Sequence, residues 1–226
     1  RIPDRPWLPY VAPMAAFLIL TAIEGLVSKR NGQTLPLAYA AAYGSKAVLV
    51  TAAAWACRST WRDLRPCPSV MVLAVSVALG LAVAALWVGL DGKVPPLPLT
   101  EKRAAFDPGQ LPEAARAAFL AVRFYGLVLM VPLVEELFWR SFLVRWIAHQ
   151  DFRQVPIGRV TPPAAVVTAG LFALAHPEWL PALITGFLWV GLLRWSRSVA
   201  ACFVSHLVAN LALGGWILAR GAWHLW

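Results

Sequence analysis

The stretch that decides the fold runs from Val131 to Arg145 and reads VPLVEELFWRSFLVR. It places two adjacent carboxylates, Glu135 and Glu136, and one guanidinium, Arg140, inside an apolar run that is long enough to cross a membrane. An ionised group in the hydrocarbon core costs about 2.5–3.5 kcal/mol on insertion scales. Three such groups in one segment therefore indicate that they pair, face a wet cavity or take part in chemistry.

The composition of the whole chain is typical of a polytopic helical membrane protein. Of 226 residues, 60% are apolar and 14% charged, and the mean hydropathy is +0.65, whereas soluble domains are nearer half apolar and a quarter charged. The apolar residues come in blocks, and the 12 Trp fit membrane interfaces. The net charge of +9 lies mostly in short connectors, which predicts membrane topology and no nucleic-acid partner. The 3 Cys show no paired spacing, so we predict neither a disulfide nor a Cys metal site.

The apolar blocks predict an all-α bundle of about eight transmembrane helices in a single domain, residues 1–226. The predicted spans cover residues 7–28, 36–57, 70–90, 119–147, 162–176, 181–195 and 199–213, with a chain break at Gly214 and Gly215 before a last apolar piece. Residues 113–148 would make a helix of about 54 Å, longer than a hydrocarbon core of about 30 Å, so an interfacial lead-in is expected before residue 119. Pro132 is expected to kink the central span one turn before the glutamates.

The connector charges predict the orientation of the bundle. Counting Lys and Arg in the connectors gives 10 on the side of the N-terminus and 6 on the other, which favours a cytoplasmic N-terminus. The chain begins at Arg1 and not at Met, so further residues are expected to precede it. The first apolar block has no small-residue cleavage site and is interpreted as a retained helix.

The central helix divides its charges between two faces. Glu136 and Arg140 are four residues apart and share a face, whereas Glu135 points about 100° away. One carboxylate is therefore expected to pair with Arg140 for structure, and the other to face a cavity and serve as a general base. An ion network that only packs helices is an alternative of about equal weight for this pattern taken alone.

Two further membrane segments carry polar side chains that would meet the glutamates. His176 ends one segment, and His206 and Asn210 lie four residues apart on one face of another. Taken singly, His176 is explained by an interfacial position, and the His206 and Asn210 pair by hydrogen bonds between helices. One shared site explains three polar clusters better than three separate packing solutions.

The chemistry that this set of groups supports is peptide hydrolysis. A carboxylate and a His would deprotonate a water, and a second His with an Asn would stabilise the oxyanion. As an alternative, Glu135, His176 and His206 would bind zinc. Neither a His-Glu-x-x-His motif nor a Gly-x-Ser-x-Gly turn is present, and Ser205 points away from its neighbour His206, so no Ser–His dyad is predicted. The competing class is a non-catalytic membrane protein, an immunity factor or a transporter, that uses these charges for partner binding or proton relay.

Taken together, the three clusters resemble the motifs of a known family. Glu135-Glu136-x-x-x-Arg140, Phe172-x-x-x-His176 and His206-x-x-x-Asn210 look like those of the CAAX prenyl endopeptidase and bacteriocin-processing family of glutamic-type intramembrane proteases, over residues 119–213. The resemblance implies an eight-helix bundle with an intramembrane polar cavity. It implies that Glu135 with His176 activates the water, and that His206 with Asn210 forms the oxyanion site. Glu136 and Arg140 would support Glu135, no cofactor would be required, and metal dependence stays open.

A narrower resemblance covers most of the chain. The stretch that ends at Trp146, the pair Asp151-Phe152, the run Val155-Pro-Ile-Gly158 and the end Trp223-His-Leu-Trp226 look like the CAAX-protease-related proteins of bacterial exosortase systems. This resemblance implies a place in the bacterial inner membrane and exosortase-type sorting partners. It also implies a membrane-anchored protein or peptide as substrate, cleaved near its C-terminal end.

Other charged groups within predicted spans carry separate predictions. Glu24 in the first span and Lys46 in the second are expected to pair across helices. Arg123 is expected either to snorkel or to contact a substrate carboxylate. The connector of residues 91–112 is expected to lie over the mouth of the cavity.

Overall fold

The first third of the chain forms three helices and a minimal hairpin. A computed structural model describes residues 5–27, 29–30, 33–95 and 106–225. The elements are α1 (Leu8–Val27), β1 (Lys29–Arg30), β2 (Gln33–Thr34), α2 (Pro36–Ala56), a 3₁₀ helix (Arg58–Leu64) and α3 (Val70–Leu90). The two strands are antiparallel and place Lys29 opposite Thr34.

The central helix runs from Glu113 to Ala148, 36 residues, so residues 113–148 form one continuous helix, as predicted. It consists of α4 (Glu113–Tyr125), a π-helical segment (Gly126–Met130), α5 (Val131–Glu136), a second π-helical segment (Leu137–Leu143) and α6 (Val144–Ala148). Pro132 lies in α5 directly after the first π segment. Proline removes a backbone donor, yet the helix continues through this position. The second π segment follows the glutamates directly, and such segments are frequent at functional sites.

Three helices and three 3₁₀ turns complete the described part of the chain. They are a 3₁₀ helix (Pro108–Gln110) before the central helix, then a 3₁₀ helix (Phe152–Gln154), α7 (Pro162–Leu174), α8 (Trp179–Ser196), α9 (Val199–Arg220) and a 3₁₀ helix (Trp223–Leu225). Hydroxyl caps start two of them, because Thr161 accepts from the backbone N–H of Ala164 and Ser198 from that of Ala201. These caps fix the starts of α9, which carries His206 and Asn210, and of α7, which ends two residues before His176.

The architecture confirms the predicted all-helical polytopic membrane bundle. Within the described residues, five helices are long and apolar enough to cross a membrane: α1, α2, α3, the central helix and α9. The shorter apolar helix α7 has 13 residues, and α8 has 18 but is not among the five. Seven or eight spans were predicted, and by this measure of length and composition five are present.

The predicted chain break at Gly214 and Gly215 is wrong, because α9 continues to Arg220 and is capped by Gly221 at φ 64°. A Cβ at Gly214 would lie 3.2 Å from atoms of Phe124 and Leu127 on the central helix. The first glycine therefore allows two helices to approach closely and does not interrupt the helix.

A close contact between α3 and α9 sets the position of the predicted His and Asn. A Cβ built at Gly80 of α3 would run into the carbonyl oxygen of Ser205 and lie 2.9 Å from Cβ of Val208. Ser205 and its neighbour His206 are both buried. The backbone that carries His206 is therefore held against α3 without room for a side chain between the two helices.

Candidate active site

A cavity of about 470 Å³ inside the bundle is lined by side chains of α1, α2, α3, the central helix, α8 and α9, and by residues at the end of α7. Four of the six predicted site residues line it: Glu135, His176, His206 and Asn210. They come from three segments that are far apart in the sequence. The structure thus brings together the polar clusters that were predicted to share one site.

Glu136 faces away from the cavity and links two of the predicted residues. Its side chain is 0% exposed, its Oε2 lies 3.3 Å from Nε of Arg140, and the guanidinium is also 0% exposed. Its Oε1 lies 2.9 Å from Nδ1 of His206. A carboxylate only accepts, so Nδ1 of His206 donates and Nε2 is the ring nitrogen left for the cavity side. Glu136 thus pairs with Arg140 and Glu135 lines the cavity, whereas the role of Glu135 as general base stays a prediction.

Arg140 is enclosed by aromatic rings as well as by its carboxylate partner. Its Cζ lies 4.7 Å from the ring centroid of Phe172 and 5.0 Å from that of Trp189. Desolvated contacts of this kind stabilise a cation by about 2 kcal/mol. Trp189 was not predicted as part of the site, since one aromatic residue in an apolar helix carries no distinguishing pattern.

The two polar residues of α9 are each held by a second element. The ring of His206 lies 4.3 Å from that of Trp189, at 32° between planes. Asn210 donates from Nδ2 to the carbonyl oxygen of Leu127, 2.8 Å away in the first π segment. Trp189 donates to Oγ of Ser205 at 3.0 Å, which agrees with the prediction that Ser205 does not act with His206.

His176 follows the end of α7 and is oriented by its own backbone. Its Nδ1 lies 2.7 Å from the carbonyl oxygen of Phe172, and a carbonyl accepts, so Nδ1 carries the hydrogen and Nε2 is the basic nitrogen of the neutral ring. The ring packs 4.5 Å from that of Phe172 and 5.7 Å from that of Trp87. These contacts hold the imidazole at the cavity wall.

Glu135 lies late in its predicted span and His176 ends its own. Simple alternation of the spans would therefore place the two side chains at different depths in the membrane. The structure resolves this difference through the length of α7. A helix of 13 residues is about 20 Å long, which is less than a hydrocarbon core of about 30 Å. The end of α7 therefore need not lie at the membrane surface, and His176 lines the same cavity as the 5% exposed Glu135.

The zinc alternative requires three ligands around one point. No group of three or more His, Cys, Asp or Glu side chains in the described ranges is placed to hold a metal ion. Glu135, His176 and His206 line one cavity, and metal dependence stays a prediction.

A second charged cluster lines the same cavity. Lys46 pairs with Glu24 across α1 and α2, which confirms the predicted ion pair. Arg123 is 8% exposed, and its Cζ lies 4.5 Å from the ring centroid of Tyr43. Arg123 therefore lies in the cavity wall, and its expected contact with a substrate carboxylate stays a prediction.

The connector of residues 91–112 is described at its two ends only. At one end the carbonyl oxygen of Pro95 accepts from Nε1 of Trp179, 3.1 Å away. At the other, Phe106 is 1% exposed and packs against the rings of Tyr39 and Phe119 at 4.3 and 5.2 Å. The prediction that this connector lies over the cavity mouth concerns mainly residues 96–105, which lie outside the described residues.

A polar network behind the site was missed by sequence reasoning. Oδ2 of Asp63, in the 3₁₀ helix after α2, accepts from Tyr10 at 2.7 Å, from Ser141 at 2.5 Å and from Arg145 at 2.8 Å. The network joins the connector after α2 to the π segment that carries Arg140. Arg145 was counted as a connector charge, although its spacing of four from Ser141 places both on one helix face.

Residues 117–212 match the family model described as Rce1-like, type II CAAX prenyl endopeptidase. The matched segment contains all six predicted site residues. It supports the CAAX protease family and, in general terms, an intramembrane peptide hydrolase. The narrower resemblance to exosortase-associated proteins stays a prediction. A search of curated proteins and a search of solved structures each gave no match.

Proposed function

We propose that this chain is a glutamic-type intramembrane endopeptidase that cleaves membrane-anchored proteins near their C-terminal end. One observation carries the proposal: Glu135, His176, His206 and Asn210 line a single cavity inside a membrane bundle. The family match over residues 117–212 supports the same class of reaction. Burial of the cavity among apolar helices would keep bulk water from the reacting groups.

In the proposed first step, Glu135 and His176 act on one water. The carboxylate of Glu135 takes a proton from the water, whose oxygen attacks the carbonyl carbon of the scissile bond. Nε2 of His176 accepts the second hydrogen of that water in a hydrogen bond. The proton held by Glu135 then passes to the leaving amine nitrogen as the C–N bond breaks, so the carboxylate is regenerated.

In the same step, His206 and Asn210 stabilise the charge on the carbonyl oxygen. Each amide nitrogen carries two hydrogens, and Asn210 uses one of them on the carbonyl of Leu127, so the other is the donor in this proposal. His206 donates from Nε2 as an imidazolium, and the carboxylate of Glu136 at Nδ1 stabilises that charge. Glu136 is thus a positioning residue, and Arg140 supplies its opposing charge.

The four histidines give a matched test. The wild type would be reconstituted in liposomes with membrane-anchored peptides, and products identified by mass spectrometry. His176→Ala and His206→Ala are expected to lower the cleavage rate at least about 100-fold, the scale of one acid–base group. His149→Ala and His224→Ala are the controls, since their side chains bond Asp151 and Asp91 in exposed positions.

The carboxylates give a second comparison. Glu135→Gln is expected to abolish cleavage, whereas Glu113→Gln, exposed at the start of the central helix, leaves the rate unchanged. Equal cleavage by wild type and a variant with alanine at Glu135, His176 and His206 would refute the proposal. An immunity factor or a transporter would instead bind its partner or move protons and release no product peptide.

The proposal places the chain in the bacterial inner membrane with a cytoplasmic N-terminus, acting on substrates alongside exosortase-type sorting partners. Cys67 is exposed in the connector after α2, two spans from the N-terminus, so it would share its side of the membrane. In a variant with Cys57 and Cys202 replaced by Ala, an impermeant maleimide should label Cys67 in inverted vesicles. Labelling in intact spheroplasts would reverse the orientation.

A further inference from the structure

The cavity carries a second set of charged side chains that the proposed reaction does not use. Glu24, Lys46 and Arg123 all line it, and they are 6%, 5% and 8% exposed. They come from α1, α2 and the central helix. Lys46 and Glu24 pair with each other, so the set of three carries one net positive charge, which suits an anionic ligand.

The two cations of this set share one aromatic ring. Nζ of Lys46 lies 4.6 Å and Cζ of Arg123 4.5 Å from the ring centroid of Tyr43. The hydroxyl of Tyr43 donates to the backbone carbonyl of Arg123, 3.4 Å away. The ammonium and the guanidinium therefore lie within about 9 Å of each other, and a guanidinium in the cavity wall suits a carboxylate ligand.

The central helix gives the distance from this cluster to the reacting groups. Arg123 and Glu135 are twelve residues apart on that helix, which corresponds to about 18 Å along its axis. An extended peptide spans about 3.3–3.6 Å per residue, so about five residues cover that distance. A carboxylate bound near Arg123 therefore lies about five residues from the bond near Glu135.

We propose that Arg123 and Lys46 form a subsite for a carboxylate of the peptide substrate, within about five residues of the scissile bond. This inference rests on the proposed function and names a specificity determinant for it. The carboxylate belongs either to the free C-terminus of the substrate or to an acidic side chain in its tail. Both present the same planar anion to the guanidinium.

Three peptides distinguish the two sources: one with a free C-terminal acid, one with a C-terminal amide, and one amide with a Glu in the tail. For the wild-type protein, kcat/KM is expected to be highest for the peptide that carries the recognised carboxylate. Arg123→Gln should lower kcat/KM for that peptide about 10- to 100-fold, mainly through KM, since a hydrogen bond to a charged group is lost. The plain amide should be cleaved equally by both enzymes.

Arg123→Lys controls for charge, and Arg116→Gln controls for position. Arg123→Lys keeps the charge and should restore part of the loss. Arg116→Gln removes an exposed arginine from the same helix and should change nothing. The double variant Glu24→Gln with Lys46→Met removes the ion pair as a neutral unit, and it should weaken discrimination between acid and amide less than Arg123→Gln does.

Binding to the inactive Glu135→Gln variant tests the subsite independently of cleavage. Fluorescence anisotropy with labelled acid and amide peptides should show tighter binding of a carboxylate-bearing peptide, and Arg123→Gln in that background should abolish the difference. If wild type cleaves no peptide but this difference persists, the proposed function fails and the subsite stands. Equal affinity for all three peptides, or equal loss of all three in a folded Arg123→Gln protein, would overturn the subsite.

Discussion

Replacing Arg140 by Met is expected to lower the free energy of unfolding by about 3–5 kcal/mol, because it leaves a buried carboxylate without its cation. Arg140 and Glu136 are both 0% exposed, with Nε and Oε2 3.3 Å apart. The substitution keeps an apolar chain between the rings of Phe172 and Trp189, so the loss arises from charge and not from a cavity. His206 alone would then face Glu136.

The double variant Glu136→Gln with Arg140→Met removes both charges together. Its loss is expected to be smaller than the sum of the two single losses, with a coupling energy of about 2–3 kcal/mol, the upper range for residues in direct contact. Equilibrium unfolding in mixed micelles, titrated with sodium dodecyl sulfate, measures each value. The fluorescence of the 12 Trp residues supplies the signal.

The matched control is an exposed ion pair on the same protein. Arg153 lies 3.2 Å from Asp151, but the two side chains are 50% and 38% exposed, so Arg153→Met should cost less than about 1 kcal/mol. A loss of that size for Arg140→Met would refute the reasoning, as would strictly additive single and double losses. Either result would mean that the pair is not desolvated in the membrane bundle.

Further predictions concern close contacts, the polar network and metal. Gly126→Ala should destabilise the bundle, because its Cβ would run into the hydroxyl of Tyr43, and Tyr43→Phe in the same chain should recover most of that loss in the same unfolding assay. Gly80→Ala should lower kcat even where the protein folds, because it pushes the carbonyl of Ser205 and the site residue after it; an unchanged kcat would count against this. Asp63→Asn should reduce the unfolding free energy by about 1–3 kcal/mol, since it weakens three hydrogen bonds to one oxygen, and a neutral result would show the network to be dispensable. Incubation with a chelator should leave cleavage unchanged under the glutamate mechanism. Stoichiometric zinc by elemental analysis, together with loss of activity on chelation, would instead support a zinc site formed by Glu135, His176 and His206.

The periodicity and hydropathy of the sequence predicted the helices well because a membrane allows few structures. The bounds predicted for α3, residues 70–90, agree with the structure. The prediction of a chain break at Gly214 was wrong for a physical reason. A glycine that breaks a helix in water is tolerated in a membrane helix where another helix packs against it. Which of these two roles a glycine has depends on the neighbouring helix, and one sequence does not show that neighbour.

The site was predictable to the extent that polar residues are conspicuous in apolar helices. Glu135, Glu136 and His206 stood out for that reason, and the structure places two in the cavity and one behind it. Trp189 did not stand out, because aromatic residues are common in such helices. Asp63 was hidden for the opposite reason, since an acidic residue in a charged connector carries no signal until the helix that it contacts is known.

The pairing of charges also bears on how the protein is made. Glu136 and Arg140 lie on the same helix, so they enter the bilayer as a neutral unit while the chain is still being synthesised. Glu24 and Lys46 lie on consecutive helices, so the hairpin of α1 and α2 contains both partners. The ring of His206 is added only when α9 packs against the central helix. Two of the buried charged pairs are therefore already matched within one helix or one hairpin before α9 is inserted.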